Sequence, residues 1–186
     1  MSVPSPQPQA RPSVRVRDAR EADMAAVQDI YAYHVRRGLA SFEEAAPDIE
    51  ELLRRRAEVL KRGLPYLVAE LEGQIVGFAY AGPYRTRSAY RYTVEDSVYV
   101  DQAALRRGVG RALLAALIER CTALGYRQMV AVIGDSGNES SIRAHAAMGF
   151  REVGRLSAIG YKLDRWVDSV LMQRPLGPGD STLPPR

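Results

Sequence analysis

Cysteine and long apolar segments are both scarce in this sequence of 186 residues. Because Cys121 is its one cysteine, the chain cannot form an internal disulfide, which indicates a reducing compartment. No apolar run approaches the roughly 20 residues that a membrane-spanning helix needs. Residues 1–13 are rich in Pro, Gln and Ser and lack the apolar core of a signal peptide. We therefore expect a cytoplasmic protein that does not associate with a membrane.

What the sequence does contain is the composition of a globular domain. Hydrophobic residues make up 46% of it and charged residues 26%, and its length suits one domain with a sizeable core. The net charge of +4 mildly favours anionic partners, although a solvated basic surface explains most of the excess. Because the basic residues are scattered and no patch interleaves them with aromatic residues, we predict no nucleic-acid binding. No metal site is predicted either.

Proline is frequent at both ends of the chain, with four prolines in residues 1–13 and a Pro/Gly-rich segment at 177–186. We expect disordered tails at 1–13 and 177–186, on either side of a single domain at 14–176. Within that domain, apolar periodicity and turn residues predict the order β-α-α-β-β-β-α-β-α-β-β. Such an order is typical of one α/β domain with a mixed sheet.

Helix-capping residues locate the first two helices. Asp18, followed three residues later by Glu21, resembles a capping box and predicts the start of the first helix. That helix should end near Gly38. Asp48 is the expected N-cap of the second helix, and Gly63 its C-terminal glycine.

The most informative stretch runs from residue 93 to residue 124. Residues 93–100 alternate between apolar and polar, which predicts a strand with Glu95, Ser97 and Tyr99 on one face. Apolar residues then recur at helical spacing up to residue 124. The apolar run at 128–133 is typical of a buried parallel strand, so the three segments form a βαβ unit.

Two glycines, Gly108 and Gly110, stand among arginines where this helix begins. Free backbone N–H groups and the positive end of the helix dipole point outward there, and glycine lets a phosphate approach the backbone closely. A dinucleotide-binding fold is excluded because Leu113 occupies the position of its third glycine and seven residues separate the strand from the first glycine. No Gly-Lys-Ser/Thr of a P-loop is present. The stretch therefore predicts a site for the diphosphate of another nucleotide-like cofactor.

These motifs, with the order of elements, resemble the GCN5-related N-acetyltransferase (GNAT) superfamily. The similarity spans residues 14–176. It is strongest to the phosphinothricin and methionine sulfone/sulfoximine N-acetyltransferase subgroup. The runs that carry it are Gly108–Gly110, Asn138 to Phe150, Tyr80–Arg85 (YAGPYR), Thr93–Val100 (TVEDSVYV), Ala131–Ser136 (AVIGDS) and Arg165–Trp166.

The resemblance implies a mixed, mostly antiparallel sheet flanked by helices, with a βαβ unit that binds acetyl-CoA as cosubstrate. The backbone of the strand would pair with the pantetheine arm, and the helix start would hold the diphosphate. The family pattern begins with Gln or Arg where this chain has Leu105, so Arg106, Arg107 and backbone N–H groups should hold the diphosphate instead. The implied cofactor-binding residues are Val98, Tyr99, Val100, Arg106, Arg107, Gly108, Val109, Gly110, Arg111 and Asn138.

Glu95 and His145 are the candidate catalytic residues. An ammonium group must lose a proton before it attacks a thioester, and a carboxylate whose pKa starts near ~4.3 serves as base only if burial raises that pKa or water relays the proton. Glu95 is thus a candidate base, or else it only binds the ammonium group or faces solvent. His145 could protonate the leaving thiolate, or could pack at the edge of the core. His34 and Cys121 are expected to be structural.

Arginines in the loop at 84–92 resemble the acceptor-binding segment of the subgroup. The planar guanidinium suits a carboxylate or phosphinyl oxygen; the alternative is a basic surface loop. Phe42 and Trp166 could wall the pocket, or pack in the core. The predicted substrate-binding residues are Arg85, Thr86, Arg87, Glu95, Asp96 and Ser97.

The resulting functional hypothesis is an acetyl-CoA-dependent N-acetyltransferase that acetylates a small amino-acid-like amine by direct attack. The candidate acceptors are phosphinothricin, methionine sulfoximine and methionine sulfone. The resemblance also implies a homodimer, which we therefore expect. Two alternatives remain open: an acetyltransferase for protein N-termini or lysines, and a non-catalytic CoA-binding regulatory module.

Overall fold

The computed structural model describes residues 13–184. The elements are β1 (Arg15–Asp18), α1 (Met24–Arg37), α2 (Ile49–Lys61), β2 (Tyr66–Leu71), β3 (Gln74–Pro83), β4 (Thr93–Val100), α3 (Val109–Ala123), β5 (Gln128–Gly134), α4 (Glu139–Ala147), β6 (Arg151–Lys162) and β7 (Arg165–Pro175). The strands form a seven-stranded sheet in the order β1-β2-β3-β4-β5-β7-β6. In it, only β4 and β5 pair in parallel; every other neighbouring pair is antiparallel. The predicted mixed, mostly antiparallel sheet is confirmed, as is the order of its elements.

Helices cover the sheet on two faces because alternate strand residues are apolar on both sides. In β2, Leu67 and Ala69 belong to the core under α3, whereas Tyr66 and Val68 belong to the core under α1 and α2. Fully buried side chains such as Leu113 of α3 fill the first core. No helix within residues 13–184 is both long and apolar enough to cross a membrane.

The predicted N-cap is correct for α2 and wrong for α1. Asp48 does cap α2: its carboxylate accepts a hydrogen bond from the Glu51 backbone N–H at 2.8 Å. The prediction that Asp18 caps the first helix is wrong, because Asp18 is the last residue of β1. A short 3₁₀ turn precedes α1, and there the Asp23 carboxylate accepts from the Arg20 backbone N–H at 2.6 Å.

The parallel pairing of β4 with β5 stops halfway along both strands. It joins Thr93–Asp96 to Gln128–Ala131, yet β4 continues to Val100 and β5 to Gly134. The two strands therefore separate after Asp96 and Ala131, and we call this point the fork. Beyond it, β4 keeps its antiparallel partner β3 but has no strand on its other edge.

The β6–β7 hairpin exposes several apolar side chains, and the segment after it contacts Arg127. Residues 177–184, which the sequence predicts as a disordered tail, form turns whose backbone at Gly179 and Leu183 accepts hydrogen bonds from Arg127 at 3.1 Å. The predicted tail at 1–13 lies, except for its last residue, outside the described part of the chain, as do residues 185–186. Several apolar side chains of the hairpin are 44–66% exposed: Val153, Leu156, Ile159, Tyr161, Leu163 and Trp166.

Candidate active site

A cavity of about 350 Å³ opens between β4, the start of α3 and α4. We call it the helix-side cavity. All ten predicted cofactor-binding residues except Arg107 line it, which makes nine: Val98, Tyr99, Val100, Arg106, Gly108, Val109, Gly110, Arg111 and Asn138. Arg107 points elsewhere, since its guanidinium lies 3.5 Å from the Glu72 carboxylate across the β2–β3 turn. The placement of Arg107 in this cavity is thus wrong.

The backbone at the start of α3 suits an anion. Arg106 has φ 62° and Gly108 has φ 82°, both left-handed, so the chain turns sharply before the first helical residue, Val109. Glycine adopts this conformation without strain. The first backbone N–H groups of α3 have no partner within the helix, and they lie at its positive end. Arg106 and Arg111, which line the same cavity, bring two positively charged residues to this region.

His34 lies in this cavity, which the sequence did not indicate. Its Nε2 is 2.9 Å from the Val100 carbonyl oxygen, and a carbonyl only accepts, so Nε2 carries the hydrogen. The carbonyl group at the end of β4 is therefore already bonded by a side chain of α1. This limits the backbone groups that a pantetheine arm would find free near Val100.

A second cavity, of about 480 Å³, lies beside the first. We call it the loop-side cavity, since the loop at 40–43 forms part of its wall. Glu95, Asp96 and Ser97 line it, as predicted for substrate-binding residues, together with Tyr80. Six residues line both cavities, which therefore adjoin at the fork: Ala40, Val98, Tyr99, Asn138, Ser141 and His145.

Glu95, the candidate base, lines the loop-side cavity. Its side chain is partly buried on the face of β4 that turns toward the loop-side cavity. Burial raises the pKa of Glu95, and the charge of the adjacent Asp96 raises it further, while Arg85 opposes the shift. Glu95 is thus a stronger base than an exposed carboxylate.

His145 is buried and both of its ring nitrogens are engaged. Nδ1 lies 2.8 Å from the Ser141 carbonyl oxygen and Nε2 lies 3.0 Å from Asp96 Oδ2. Burial lowers the pKa of His145, but the hydrogen bond and the charge of Asp96, with the Ser141 carbonyl, outweigh it, so the pKa is raised. The ring also stacks edge-on against Phe150. His145 thus packs at the edge of the core with both ring nitrogens engaged, and its role as the acid that protonates the thiolate stays a prediction.

The loop with Arg85, Thr86 and Arg87 lies outside the loop-side cavity. All three residues are exposed and none lines the cavity wall. The Arg85 guanidinium lies 4.7 Å from the centre of the Tyr84 ring, near enough to Glu95 for its charge to act on that carboxylate. Of the two aromatic candidates, Phe42 lines the cavity, whereas Trp166 is 66% exposed and does not.

Long-range contacts, which sequence patterns do not reveal, hold the loop at 39–43 over the fork. The Tyr31 hydroxyl bonds Ser41 Oγ at 3.0 Å and the Glu43 carboxylate at 2.9 Å. The Lys162 ammonium group, buried at the end of β6, donates to the Ser41 carbonyl. A Cβ at Gly134 would lie 2.3 Å from the Leu39 carbonyl oxygen, so only glycine lets the loop approach β5 this closely.

Comparison with known proteins identifies the family to which this architecture belongs. Residues 16–171 match the family described as "Acetyltransferase (GNAT) domain". Phosphinothricin N-acetyltransferase of Alcaligenes faecalis is 55% identical over 175 residues, which cover 94% of this chain and 89% of that enzyme. L-methionine sulfoximine/L-methionine sulfone acetyltransferase of Salmonella typhimurium is 37% identical over 158 residues, covering 85% and 92%.

Among solved structures, the GNAT superfamily phosphinothricin acetyltransferase from Sinorhizobium meliloti, in complex with AcCoA, superposes with a TM-score of 0.90. It is 45% identical in sequence, and the match covers 93% of this chain and 94% of that one. The resemblance that the motifs indicated is confirmed by both sequence and fold.

Proposed function

The chain belongs to the GNAT family of acetyltransferases, and on that premise we propose that it acetylates a small amino-acid-like amine. The proposed acceptors are phosphinothricin, methionine sulfoximine and methionine sulfone, and acetyl-CoA is the donor. The observation that carries the proposal is the meeting of two cavities at the fork, with the partly buried Glu95 on the wall of one of them. The relatives named above support the class of acceptor.

The helix-side cavity fits acetyl-CoA in its chemistry. The N-terminus of α3 offers unpaired backbone N–H groups to a diphosphate, and Arg106 and Arg111 offer two positive charges. Past the fork, the outer edge of β4 has no strand partner, so its backbone can pair with the amide groups of a pantetheine arm as an added strand does. The bound donor supplies a thioester, and the fork is where its acetyl group would reach the acceptor.

Glu95 is the proposed base on the acceptor side. An amino-acid amine is mostly ammonium at neutral pH and must lose a proton before it attacks the thioester carbon. The raised pKa of Glu95, caused by burial and by Asp96, brings the carboxylate closer to the operating pH at which a base works best.

We further propose a homodimer whose second copy covers the exposed apolar side chains of the β6–β7 hairpin. Helices α1 and α2 pack on β2, β3 and β4, and no helix within residues 13–184 makes comparable contact with β6. Large apolar side chains clustered at a surface mark a protein interface. The exposed Arg85 and Arg87 lie on the loop that leads into β4, so a second copy could fold this loop against the acceptor.

A thiol-release assay tests the proposal. Purified protein is mixed with acetyl-CoA and a panel of amines: phosphinothricin, methionine sulfoximine, methionine sulfone, ordinary amino acids, and a short peptide with a free N-terminus. Turnover with the first three and none with the peptide is expected. Turnover with the peptide alone would instead make the chain a protein acetyltransferase. Tight acetyl-CoA binding without any turnover would make it a regulatory module.

A further inference from the structure

Lys162 is the only lysine or arginine among residues 13–184 that is buried, at 3% exposure. Its Nζ donates a hydrogen bond to the backbone carbonyl of Ser41. Glu43 and Glu44 act on the ammonium group through their charges, but neither carboxylate forms an ion pair with it. A buried charge is costly unless other groups compensate it, so the Ser41 carbonyl is the partner that this site provides. Lys162 lines neither cavity, and it therefore affects a bound molecule only through the residues that it contacts.

The same strand also contacts the ring of Phe42, at Gly160. A Cβ at Gly160 would lie 3.1 Å from Phe42 Cε2, which is closer than ordinary van der Waals contact. The missing side chain of Gly160 therefore leaves the space that the Phe42 ring occupies. Alternate residues of a strand share a face, so Gly160 and Lys162 lie on one face of β6. That face contacts two consecutive residues of the loop, Ser41 and Phe42.

These loop residues belong to the wall of one cavity only. Ser41, Phe42 and Glu43 line the loop-side cavity, and none of them lines the helix-side cavity. Ser41 is held from two directions, because its hydroxyl bonds Tyr31 of α1 while its carbonyl accepts from Lys162 of β6. Loss of either contact would free this part of the wall. The acceptor would meet the altered wall, whereas the donor would not.

Resting on the function proposed above, we propose that Lys162 is a positioning residue for the acceptor. By holding the Ser41 carbonyl, it keeps the adjacent Phe42 ring against Gly160 and in the wall of the loop-side cavity. The opposite face of β6 carries Ile159 and Tyr161, which are 56% and 55% exposed. Contact with the loop and contact with a second copy are thus made by different faces of one strand.

The first test needs no substrate, because Lys61 and Lys162 are the two lysines of the chain. Lys61 is exposed and serves as the internal control. Labelling of both amines with succinimidyl acetate is followed by mass spectrometry of peptides. Lys162 should react at least about tenfold more slowly than Lys61, because its amine is reached only when the loop opens. Burial lowers the pKa of Lys162, which favours reaction, so slow labelling reports enclosure. Equal rates at the two lysines would overturn the proposal.

Two glycine variants of β6 test whether the Phe42 contact and the Lys162 contact act together. Gly160→Val forces the Phe42 ring away from the strand, and should raise the labelling rate of Lys162 several-fold. The matched control is Gly154→Val, because a Cβ at Gly154 would have only Leu171 Cδ1 nearby, at 4.0 Å. That variant should label as the wild type does. Equal rates in the two variants would contradict a shared role in holding the loop.

The second test separates positioning of the acceptor from general structural support. Lys162→Met keeps the unbranched stem but removes the donor to Ser41, and should raise the KM for the acceptor about tenfold. The kcat and the affinity for acetyl-CoA should stay within about twofold, because lost binding that is common to substrate and transition state changes KM alone. Lys61→Met, the matched control, should change neither constant. An unchanged KM in Lys162→Met, or a parallel loss of kcat and donor affinity, would refute the role.

Further controls separate this inference from the proposed function, from misfolding and from assembly. Failure of the wild type to release thiol with any amine refutes the proposed function, whereas the labelling rates still test the contact between Lys162 and the loop. If Lys162→Met does not fold, as judged by thermal melting, Gly160→Val replaces it in the kinetic test and should raise the same KM. Lys162→Met should also sediment as the wild type does, because it leaves the opposite face of β6 unchanged. A shift of its oligomeric state would assign the change in KM to assembly and overturn the proposal.

Discussion

The two cavities that meet at the fork differ in how the chain builds them. Eleven of the eighteen residues around the helix-side cavity fall between Val98 and Leu114, in one strand–turn–helix. Eighteen residues also line the loop-side cavity, but they come from the loop at 40–43, from β3, β4 and β5, from α4 and from β7. The first cavity is a local structure that backbone geometry defines. The second depends on contacts between distant segments, so we expect it to be the more sensitive to single substitutions of side chains.

Of all the substitutions, Glu95→Gln is expected to differ most in its effects on the two cavities, with a large loss of kcat and little change in donor binding. Loss of the proposed base should lower kcat by about 10²–10⁴-fold, since the amide is nearly isosteric but cannot accept a proton. Affinity for acetyl-CoA, measured by calorimetry, should stay within twofold, because Glu95 lines only the loop-side cavity. An unchanged kcat would leave Glu95 as a binding group at most.

The pH dependence of the wild type sharpens the same point. The base must be deprotonated, and burial raises the pKa of Glu95, so kcat/KM should rise with pH through a value above the ordinary ~4.3. Below that value the carboxylic acid form predominates and the rate falls by up to tenfold per pH unit. In Glu95→Gln this rising limb should vanish. Its persistence would assign the limb to another group.

Arginine substitutions at the start of α3 should weaken the donor without affecting the acceptor. Arg106→Ala removes a guanidinium from the helix-side cavity, and a lost charge-assisted hydrogen bond of about 1.5–3 kcal/mol corresponds to about tenfold or more in acetyl-CoA affinity. The matched control is Arg107→Ala, whose side chain lies near Glu72 instead and should change affinity by less than twofold. Equal effects of the two variants would contradict the observed geometry.

Substitution on the hairpin tests whether a second copy completes the loop-side cavity. Ile159→Asp places a charge within the exposed apolar surface of β6, and should convert the proposed dimer to a monomer in sedimentation analysis. In that monomer the KM for the acceptor should rise several-fold, with acetyl-CoA affinity unchanged. A wild-type protein that sediments as a monomer would remove the basis for this prediction.

Asp23 lines neither cavity, so Asp23→Asn is expected to have the smallest effect on catalysis and on ligand binding. Arg17 holds the Asp23 carboxylate with two hydrogen bonds of 2.7 and 2.8 Å, and this partner lowers the pKa of Asp23. The stabilisation is therefore present above the pKa of the unfolded chain and is lost as pH falls through the lower, folded-state pKa. The variant should lose on the order of 2 kcal/mol at neutral pH, with the loss disappearing in acid. Thermal melting across pH measures this, and kcat should not change.

The helix-side cavity, which local structure builds, could be predicted from the sequence better than the loop-side cavity, which distant segments build. Alternation in β4, the glycines before α3 and the apolar run of β5 are local patterns, so they indicate the βαβ unit. The family resemblance then names ten cofactor-binding residues, of which nine line the helix-side cavity. Arg107 was misplaced because its partner Glu72 belongs to another hairpin. The start of α1 was also predicted five residues too early, since the 3₁₀ turn before it is held by Asp23, whose carboxylate is bound by Arg17 of β1.

The loop-side cavity was only half predictable, for a physical reason. Glu95 and Ser97 follow from the polar face of β4, but burial of Asp96 against His145 joins residues 49 positions apart. Ser41 and Lys162 meet across 121 positions, and no periodicity or motif carries that contact. Arg85 and Arg87 matched a motif, but their side chains are exposed in the folded chain, so their binding of the acceptor stays a prediction.

The hydrogen bonds between Arg127 and the segment at 179–183 have a practical consequence for handling this enzyme. Arg127 directly precedes β5, whose other end opens into the fork, and six residues of strand separate the ends by about 20 Å. The carboxyl-terminal segment is therefore held at the end of β5 that is remote from both cavities. Immobilising the protein on a sensor chip through its carboxyl terminus should leave donor and acceptor free to enter from solution.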